Sequence, residues 1–142
     1  MSCAFCKVIA REVDAEVVYE DDRALAFLDH RPLFPGHTLL VPKVHYEALG
    51  DLPLAFTGPF FERVPLLAQA VEAAMEAAGS FVAINNRVSQ SVPHLHVHIV
   101  PRRPKDGLKG FFWPRGKYES PAQMAEVAAR LRAAVAVLPR LP

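Results

Sequence analysis

The sequence has 142 residues, of which 51% are hydrophobic and 22% are charged, values typical of one globular domain with a substantial core. Its net charge of +1 argues against a protein that binds nucleic acid by electrostatic attraction, and no apolar run approaches the roughly 20 residues of a membrane span. The N-terminal residues also lack the pattern of a signal peptide, so we expect a cytoplasmic protein that binds neither membranes nor nucleic acids.

The N-terminal part of the chain predicts a short helix and three strands. Turn-forming residues separate the strands at Asp21-Asp22 and at Pro35-Gly36. Strands joined by short turns are typical of an antiparallel sheet. We expect the helix and the strands at Cys3–Arg11, 17–20, Ala24–Leu28 and His37–Val41.

The C-terminal part predicts a long helix, two strands and a final helix. Apolar residues at helical spacing indicate the long helix, with a kink or restart expected at Pro65 and an end at Gly79. Strands are expected at Phe81–Ile84 and His94–Val100, and the final helix should start at the capping residue Ser120, which a proline follows. This order of elements predicts an α+β domain with helices packed on an antiparallel sheet.

Three of the six histidines occupy alternate positions in the stretch SVPHLHVHIVPR. Side chains on a strand alternate between faces, so His94, His96 and His98 are expected to share one face, opposite an apolar face. Histidine is infrequent, and nothing structural favours its repetition, so the pattern indicates function. A neutral imidazole is a nucleophile near pH 7, and neighbouring imidazoles can donate hydrogen bonds to phosphate oxygens.

Two patterns raise the question of a metal. Cys3 and Cys6 have the spacing of a metal site or a redox pair, although a thioredoxin-type redox pair would normally lie near a βαβ pattern. The histidine row could alternatively bind one catalytic zinc, as in a metal-dependent hydrolase. However, three successive ligands on a strand span about 13 Å, which is too far for bonds of about 2.0–2.1 Å to a single ion.

The histidine row and the blocks before it resemble the histidine-triad (HIT) superfamily of nucleotidyl hydrolases and transferases. The matching blocks follow the family's order: Asp21-Asp22 with ALAFLD, then PGHTLLVPKVH, then QSVPHLHVHIVPR. The resemblance implies a single HIT domain over residues 1–142, with a five-stranded antiparallel sheet, a long helix and a C-terminal helix in an extension at 103–142. It also implies a homodimer whose sheets join into one continuous ten-stranded sheet.

The resemblance implies a chemistry and a metal site as well. His96 would attack the α-phosphorus of a purine nucleotide of the AMP type and form a covalent nucleotidyl-histidine, with His98 as the second catalytic histidine. Asp29 would bind the ribose hydroxyls, and Ser91 would contact the phosphate. The complete set of nucleotide-binding residues would be Asp29, His37, Asn85, Asn86, Gln90, Ser91, His96 and His98. The ligands of a structural zinc would be Cys3, Cys6, His45 and His94.

Several of these residues also have structural interpretations. His37 could cap a turn, Ser91 could be an ordinary loop serine, Asp29 could form a turn, and the two cysteines could be inert buried thiols. The loop before Ser91 departs from the family because it contains no glycine, which leaves open how it approaches a phosphate and whether Asn85 or Asn86 is the binding asparagine. Arg87 could supply attraction there or be solvated surface.

The substrate stays open at this level. The resemblance fits a hydrolase of nucleoside phosphoramidates, a hydrolase or phosphorylase of dinucleoside polyphosphates, or a nucleotide-binding dimer without catalysis. The aromatic stretch Gly110–Arg115 could shape the choice of leaving group or could anchor the last helix.

Overall fold

A computed structural model of the chain describes residues 2–108 and 116–138. The chain divides into two compact units, Met1–Asp106 and Gly107–Pro142. A single domain over residues 1–142 therefore stays a prediction, and the aromatic stretch at 110–115 lies outside the described residues. None of the helices in the described ranges is long and apolar enough to cross a membrane.

The first unit is a five-stranded antiparallel sheet with helices on it, which confirms the predicted α+β class. The strand order is β1-β2-β3-β5-β4, so that β1 and β4 form the edges. Its elements are α1 (Ala4–Ile9), β1 (Val17–Glu20), β2 (Ala24–Leu28), β3 (Thr38–Pro42), a 3-10 turn (Leu49–Asp51), α2 (Leu54–Ala74), β4 (Gly79–Ala83) and β5 (Val97–Arg102).

Both faces of the sheet are covered, which explains why β2 and β3 are almost continuously hydrophobic. On one face, α2 packs Phe60 and Leu67 against Val97 and Ile99 of β5. On the other face, Val8 of α1 packs against a second cluster of buried strand residues, which contains Leu25, Phe27, Leu39 and Val41. Because the side chains of each strand alternate, a single strand contributes to both clusters.

The predicted limits of the long helix were wrong. The helix runs without interruption through Pro59 and Pro65 and ends at Ala74, and Gly79 is the first residue of β4. An interior proline costs about 3 kcal/mol, but several large buried side chains contribute about 1.5–3 kcal/mol each and keep the helix on the sheet. These side chains are Phe56, Phe60, Leu67 and Val71.

The predicted limits of the strand that carries the histidine row were also wrong. The strand begins at Val97 and includes Pro101, so His94 and His96 lie in the segment just before it. Beyond Ile99, β5 is paired only with β4, and its other side has no strand partner. The missing N–H of Pro101 therefore leaves the ladder intact.

The second unit contains one described helix, α3 (Pro121–Ala136). As predicted, it starts after Ser120, whose hydroxyl oxygen accepts a hydrogen bond from the backbone N–H of Gln123. The proline at its first position has no N–H to leave unsatisfied, so the residues at this end specify the start of the helix.

Candidate functional site

The three histidines of the row share one side of the chain even though only His98 lies in β5. Leu95 and Val97, which alternate with them, are buried in the core under α2. The rings therefore point to the α1 side, where the His96 and His98 ring centroids are 4.8 Å apart. The expected shared face is present.

The neutral form of His96 has a defined tautomer. Its Nδ1 lies 2.7 Å from the backbone carbonyl oxygen of His94, which can only accept, so Nδ1 carries the proton. Burial lowers the pKa of His96, and the ring is neutral at pH 7. Phe5 of α1 stands edge-on to the ring at 5.0 Å between centroids. The remaining nitrogen, Nε2, therefore carries a lone pair.

His98 is held in the opposite tautomer by a chain of hydrogen bonds. The backbone N–H of Leu33 donates to Nδ1 of His37 over 3.0 Å, which places the proton of that neutral ring on Nε2. His37 Nε2 in turn donates to His98 Nδ1 over 2.9 Å. Burial, with repulsion from His96 and His37, lowers the pKa of His98 to about 4. Its Nε2 is therefore an N–H donor.

That donor lacks an acceptor among the residues that the structure describes. His98 Nε2 is buried without a hydrogen-bond partner in the described part of the chain. Buried polar groups in folded proteins are nearly always paired, so an unpaired one beside a lone pair points to an absent ligand with an acceptor atom. An anion with exposed oxygens is such a ligand.

Asp29 follows β2 and extends this group of residues. Its Oδ2 lies 3.7 Å from His37 Nε2, and its Oδ1 accepts a hydrogen bond from the Arg31 backbone. It also lines a cleft of about 920 Å³ beside α1, together with Phe5, Val8 and Phe27. The cleft combines a mainly apolar lining with a few charged side chains, Asp29 among them, which is the usual character of a small-molecule site.

The predicted zinc ligands lie together at the other end of the row. Each of the four residues offers a donor atom, and these atoms all lie within 4.8 Å of one another. His94 Nδ1 is 3.5 Å from the Cys3 sulfur, 3.6 Å from the Cys6 sulfur and 3.2 Å from His45 Nδ1. Tetrahedral zinc with ordinary bond lengths would separate sulfur and nitrogen by about 3.6 Å and two nitrogens by about 3.3 Å. The cluster fits zinc in both geometry and donor type.

The surroundings of His94 also suit a metal ligand. Its Nε2 donates to the Pro42 carbonyl oxygen over 2.8 Å, which leaves the Nδ1 lone pair directed into the cluster. Burial lowers its pKa to about 4, and the ring is neutral, as a ligand must be. A single zinc shared by the whole row is disfavoured, because His96 and His98 use their Nδ1 atoms in other hydrogen bonds.

A second group, formed by Asp29, His37 and His98, also brings three possible metal donors together. However, the hydrogen bond between the two ring nitrogens is 2.9 Å long, whereas two nitrogens on one zinc would stand about 3.3 Å apart. The geometry favours the hydrogen-bonded relay over a metal at this position.

The polar residues of the loop before Ser91 fasten the loop to the segment at 47–51. The Asn86 side-chain oxygen accepts from the Leu49 backbone N–H over 2.8 Å, and the Gln90 amide donates to the Glu47 carbonyl over 2.6 Å. Arg87 pairs with Asp51 at 3.0 Å. The loop therefore has a defined position, while nucleotide binding by Asn85, Asn86 and Gln90 stays a prediction.

The loop adopts glycine-type backbone conformations without glycine. Arg87 has φ of 66° and Ser89 has φ of 59°, both in the left-handed region. Such a residue costs about 1–2 kcal/mol relative to glycine, and the hydrogen bonds of the loop offset that cost. The missing glycines therefore do not abolish the turn they would favour.

Ser91 lies in a second cleft, of about 530 Å³, beside the zinc-type cluster. Cys3, His45 and Glu47 also line this cleft. Sequence reasoning missed Glu47, as well as Phe5, which packs on the histidine row. The position of Phe5 between the two cysteines was the available signal, because any helix that brings both thiols to His94 brings Phe5 with them.

A family model described as the HIT domain matches residues 10–105 of this chain. The curated relative adenylylsulfatase HINT3 of Arabidopsis thaliana is 37% identical over 108 residues, which are 75% of this chain and 55% of that protein.

Two solved structures extend the likeness to the fold. A member of the HIT family from Bacillus subtilis has a TM-score of 0.83 at 32% identity and covers 99% of this chain and 100% of its own. A zinc-bound histidine triad family protein from Mycobacterium smegmatis has a TM-score of 0.72 at 34% identity, over 94% of this chain and 98% of its own.

Proposed function

The chain belongs to the HIT domain family, and from this premise we propose that it hydrolyses purine nucleoside phosphoramidates at the α-phosphate through a covalent nucleotidyl-histidine on His96. One observation carries the proposal. The His96 ring, whose Nε2 carries a lone pair, neighbours the His98 ring, whose Nε2–H is unpaired among the described residues, with the ring centroids 4.8 Å apart. A nucleophile beside a donor for a charged oxygen suits attack on phosphorus.

The reaction proceeds in two displacements. His96 Nε2 bonds to the α-phosphorus as the phosphorus–nitrogen bond to the leaving amine breaks, and the departing nitrogen takes up a proton. Water then attacks the same phosphorus, and the bond to His96 breaks. The net reaction consumes one water and gives an amine and a nucleoside monophosphate. Throughout, the His98 Nε2–H donates to a phosphate oxygen, where charge develops.

The two clefts give the substrate its orientation. The base and ribose occupy the larger cleft, where Phe5 and Val8 supply apolar contact and Asp29 accepts from the ribose hydroxyls. Ser91 contacts the phosphate from the side of the second cleft, which receives the leaving group. Relatives support a nucleotide substrate, since HINT3 is named an adenylylsulfatase.

Zinc is proposed as a structural metal on Cys3, Cys6, His45 and His94. The geometry of the four donors and the zinc-bound relative from Mycobacterium smegmatis support this assignment. A zinc ion held by these four residues would cross-link the N-terminal segment to the segments that carry the two histidines. The hydrogen bond to the Pro42 carbonyl holds the His94 ring in place. The His94 backbone carbonyl accepts a hydrogen bond from Nδ1 of His96 and so orients that ring.

A cytoplasmic homodimer with one continuous ten-stranded sheet is proposed as the assembly. β4 is an edge strand, and its Val82 side chain is 44% exposed, so a second copy would cover an otherwise open sheet edge. Two-fold pairing is the usual symmetry of such assemblies. Light scattering should give a dimer mass, and a monomer mass at micromolar concentration would count against this arrangement.

The mechanism is tested by trapping the adduct. The protein is incubated with an adenosine phosphoramidate, quenched in base, where a phosphorus–nitrogen bond survives, and analysed by mass spectrometry. We expect adenylate on His96, no turnover by His96→Ala, and a loss of about 10²–10³ in rate for His98→Ala. An adduct on lysine or serine, or near wild-type turnover by His96→Ala, would overturn the proposal.

A substrate panel separates the two alternative functions. Faster cleavage of dinucleoside polyphosphates than of phosphoramidates would favour a polyphosphate hydrolase. Nucleotide binding without either turnover or adduct would favour a binding module.

A further inference from the structure

We propose that Glu47 sets the charge preference for the leaving group, so that the second cleft selects positively charged amines and disfavours polyphosphates. The inference rests on the proposed function, because it assumes that the leaving group departs past Ser91. It adds a specificity-determining residue that was not apparent from the sequence pattern. The observation that carries it is the composition of the cleft wall.

Glu47 supplies the carboxylate of this wall. Among the described residues that line the cleft, none is lysine or arginine. The remaining described lining consists of uncharged residues and of Cys3 and His45, two of the four residues that would hold the proposed zinc ion. Glu47 is therefore the only Asp, Glu, Lys or Arg side chain among the described residues that line this side.

One described cation, Arg87, lies near Glu47 but makes its closer ion pair with Asp51. Arg87 has its Nη2 3.0 Å from the Asp51 carboxylate, whereas its Nε lies 4.0 Å from Glu47. The closer contact assigns the guanidinium mainly to Asp51, and its side chain is 55% exposed, which weakens its field in the cleft. The Glu47 carboxylate is therefore available to interact with the charge of a ligand.

The backbone of Glu47 is fixed relative to Ser91. Its carbonyl oxygen accepts a hydrogen bond from the side chain of Gln90, the residue directly before Ser91, over 2.6 Å. The next residue, Ala48, is fully buried. The two walls of the cleft are thus joined across 43 positions of sequence, which holds the Glu47 backbone close to the segment that carries Ser91.

The direction of the preference follows from charge. A nucleoside polyphosphate leaving group carries several negative charges and would be repelled by this wall, whereas an ammonium group would be attracted. The Glu47 carboxylate and the charged end of the leaving group are both partly solvated. Their interaction should therefore be as weak as an exposed ion pair and change the rate about two- to five-fold for one charge. Salt should reduce it.

The test uses three adenosine 5′-phosphoramidates whose amine tails have equal length and end in an ammonium, a methyl or a carboxylate group. The ratio of kcat/KM values for the ammonium and methyl substrates is measured for the full-length wild type, Glu47→Gln and Glu47→Lys. The matched control is Glu62→Gln, the same chemical change at an exposed position of α2 that lines neither cleft. Thermal midpoints confirm that each variant is folded.

We expect the wild type to prefer the ammonium substrate about two- to five-fold and to disfavour the carboxylate substrate. Glu47→Gln should bring both ratios close to one, Glu47→Lys should invert them, and Glu62→Gln should match the wild type. If Glu47→Gln and the wild type give equal ratios while the wild type still cleaves the methyl substrate, the role of Glu47 is overturned and the proposed function stands. If the wild type cleaves none of the three, both are overturned.

Discussion

The outer nitrogen of His98 shows how backbone groups set the chemistry of a side chain. Its proton is assigned through His37 by the backbone N–H of Leu33, which cannot change its role as a donor. A buried donor without an acceptor costs about 1–3 kcal/mol. A phosphate oxygen that accepts this hydrogen bond would remove the penalty, so relief of the penalty would contribute to the free energy of binding.

The depressed pKa of His98 predicts a pH-dependent stability. Burial lowers this pKa to about 4 in the folded chain, whereas the unfolded value is about 6.5. Between these values the unfolded chain binds the additional proton, so the free energy of unfolding should fall as the pH decreases from about 6.5 to about 4. His98→Asn lacks this titration and should show a shallower dependence.

Urea denaturation at half-unit pH intervals measures both slopes. All other titratable side chains are the same in both proteins, so the difference between the slopes isolates His98. Equal slopes for wild type and His98→Asn would contradict the prediction.

At the scale of elements, the end of α2 is a Schellman motif built without glycine. The N–H of Ala77 donates to the Glu72 carbonyl over 2.9 Å, and the N–H of Glu76 donates to the Ala73 carbonyl over 3.3 Å. Glu76 occupies the left-handed position of this motif with φ of 50°. Its local hydrogen bonds, rather than Gly79, end the helix.

Glu76→Gly should therefore stabilise the protein. Glycine reaches this conformation without the steric cost of a side chain, and we expect a gain of about 0.5–1 kcal/mol in the free energy of unfolding. Ala70→Gly, at an exposed position inside the same helix, should instead lose about 0.5–1 kcal/mol. Chemical denaturation of both variants checks the prediction, and a loss of stability in Glu76→Gly would show that φ at this position is not the limiting factor.

A substitution at Gly36, in the turn before β3, should instead destabilise the protein. It has φ of 97°, and a Cβ atom there would lie 2.5 Å from Cγ of Met75. Gly36→Ala should lose at least about 1–2 kcal/mol from the backbone conformation alone, with a further loss from the clash. The measurement is the shift of the denaturation midpoint.

Two further variants separate the causes of that loss. Gly50→Ala, where a Cβ would meet nothing within 4 Å, should be close to neutral. Adding Met75→Ala to Gly36→Ala removes the clash and retains the strain, so part of the extra loss should return in a double-mutant comparison. Equal losses at Gly36 and Gly50 would argue against both causes.

The parts of the structure that the sequence predicts are those with a local signal. The end of β1 and the start of β2 matched because the turn residues Asp21-Asp22 separate them, and the start of α3 matched because Ser120 is a capping residue. The predicted end of α2 was wrong, because a glutamate in the left-handed conformation has no sequence signature. The predicted limits of β5 were also wrong, because a strand tolerates Pro101 only where its N–H would face no neighbouring strand.

The candidate site likewise has features that the sequence indicated and features that only the fold reveals. The spacing of the two cysteines suggested a metal or redox pair, the resemblance to the HIT family implied the two histidines, and the structure brings all four residues together. The tautomers of His96 and His98 depend on the backbone groups of His94 and Leu33, which every residue possesses and which only the fold selects. Glu47 was missed because an exposed glutamate is ordinary until its neighbours are known.

At the scale of the whole first unit, α1 links the proposed metal to the proposed nucleotide cleft. Cys3 precedes the helix and Cys6 lies within it, while Phe5 and Val8 form a wall of the larger cleft. A helix of 6 residues has little stability of its own. Its position therefore depends on its few buried contacts and on whatever joins its cysteines to the sheet.

Loss of zinc should accordingly damage the cleft as well as the fold. We expect about one zinc per chain in untagged protein, and little or none in a Cys3→Ser/Cys6→Ser variant, measured by elemental analysis. Without the cross-link, the thermal midpoint should fall by about 10 °C, as for a loss of several kcal/mol in a domain of this size.

Binding of AMP, measured by calorimetry, should weaken because Phe5 and Val8 lose their fixed position, and amide exchange should rise in α1 before it rises in β2. Glu62→Gln, at an exposed position outside the donor set and outside both clefts, is the control and should keep both zinc and affinity. Zinc-free protein with an unchanged thermal midpoint would remove the structural role of the metal, and a lower midpoint with unchanged AMP affinity would separate the metal from the cleft.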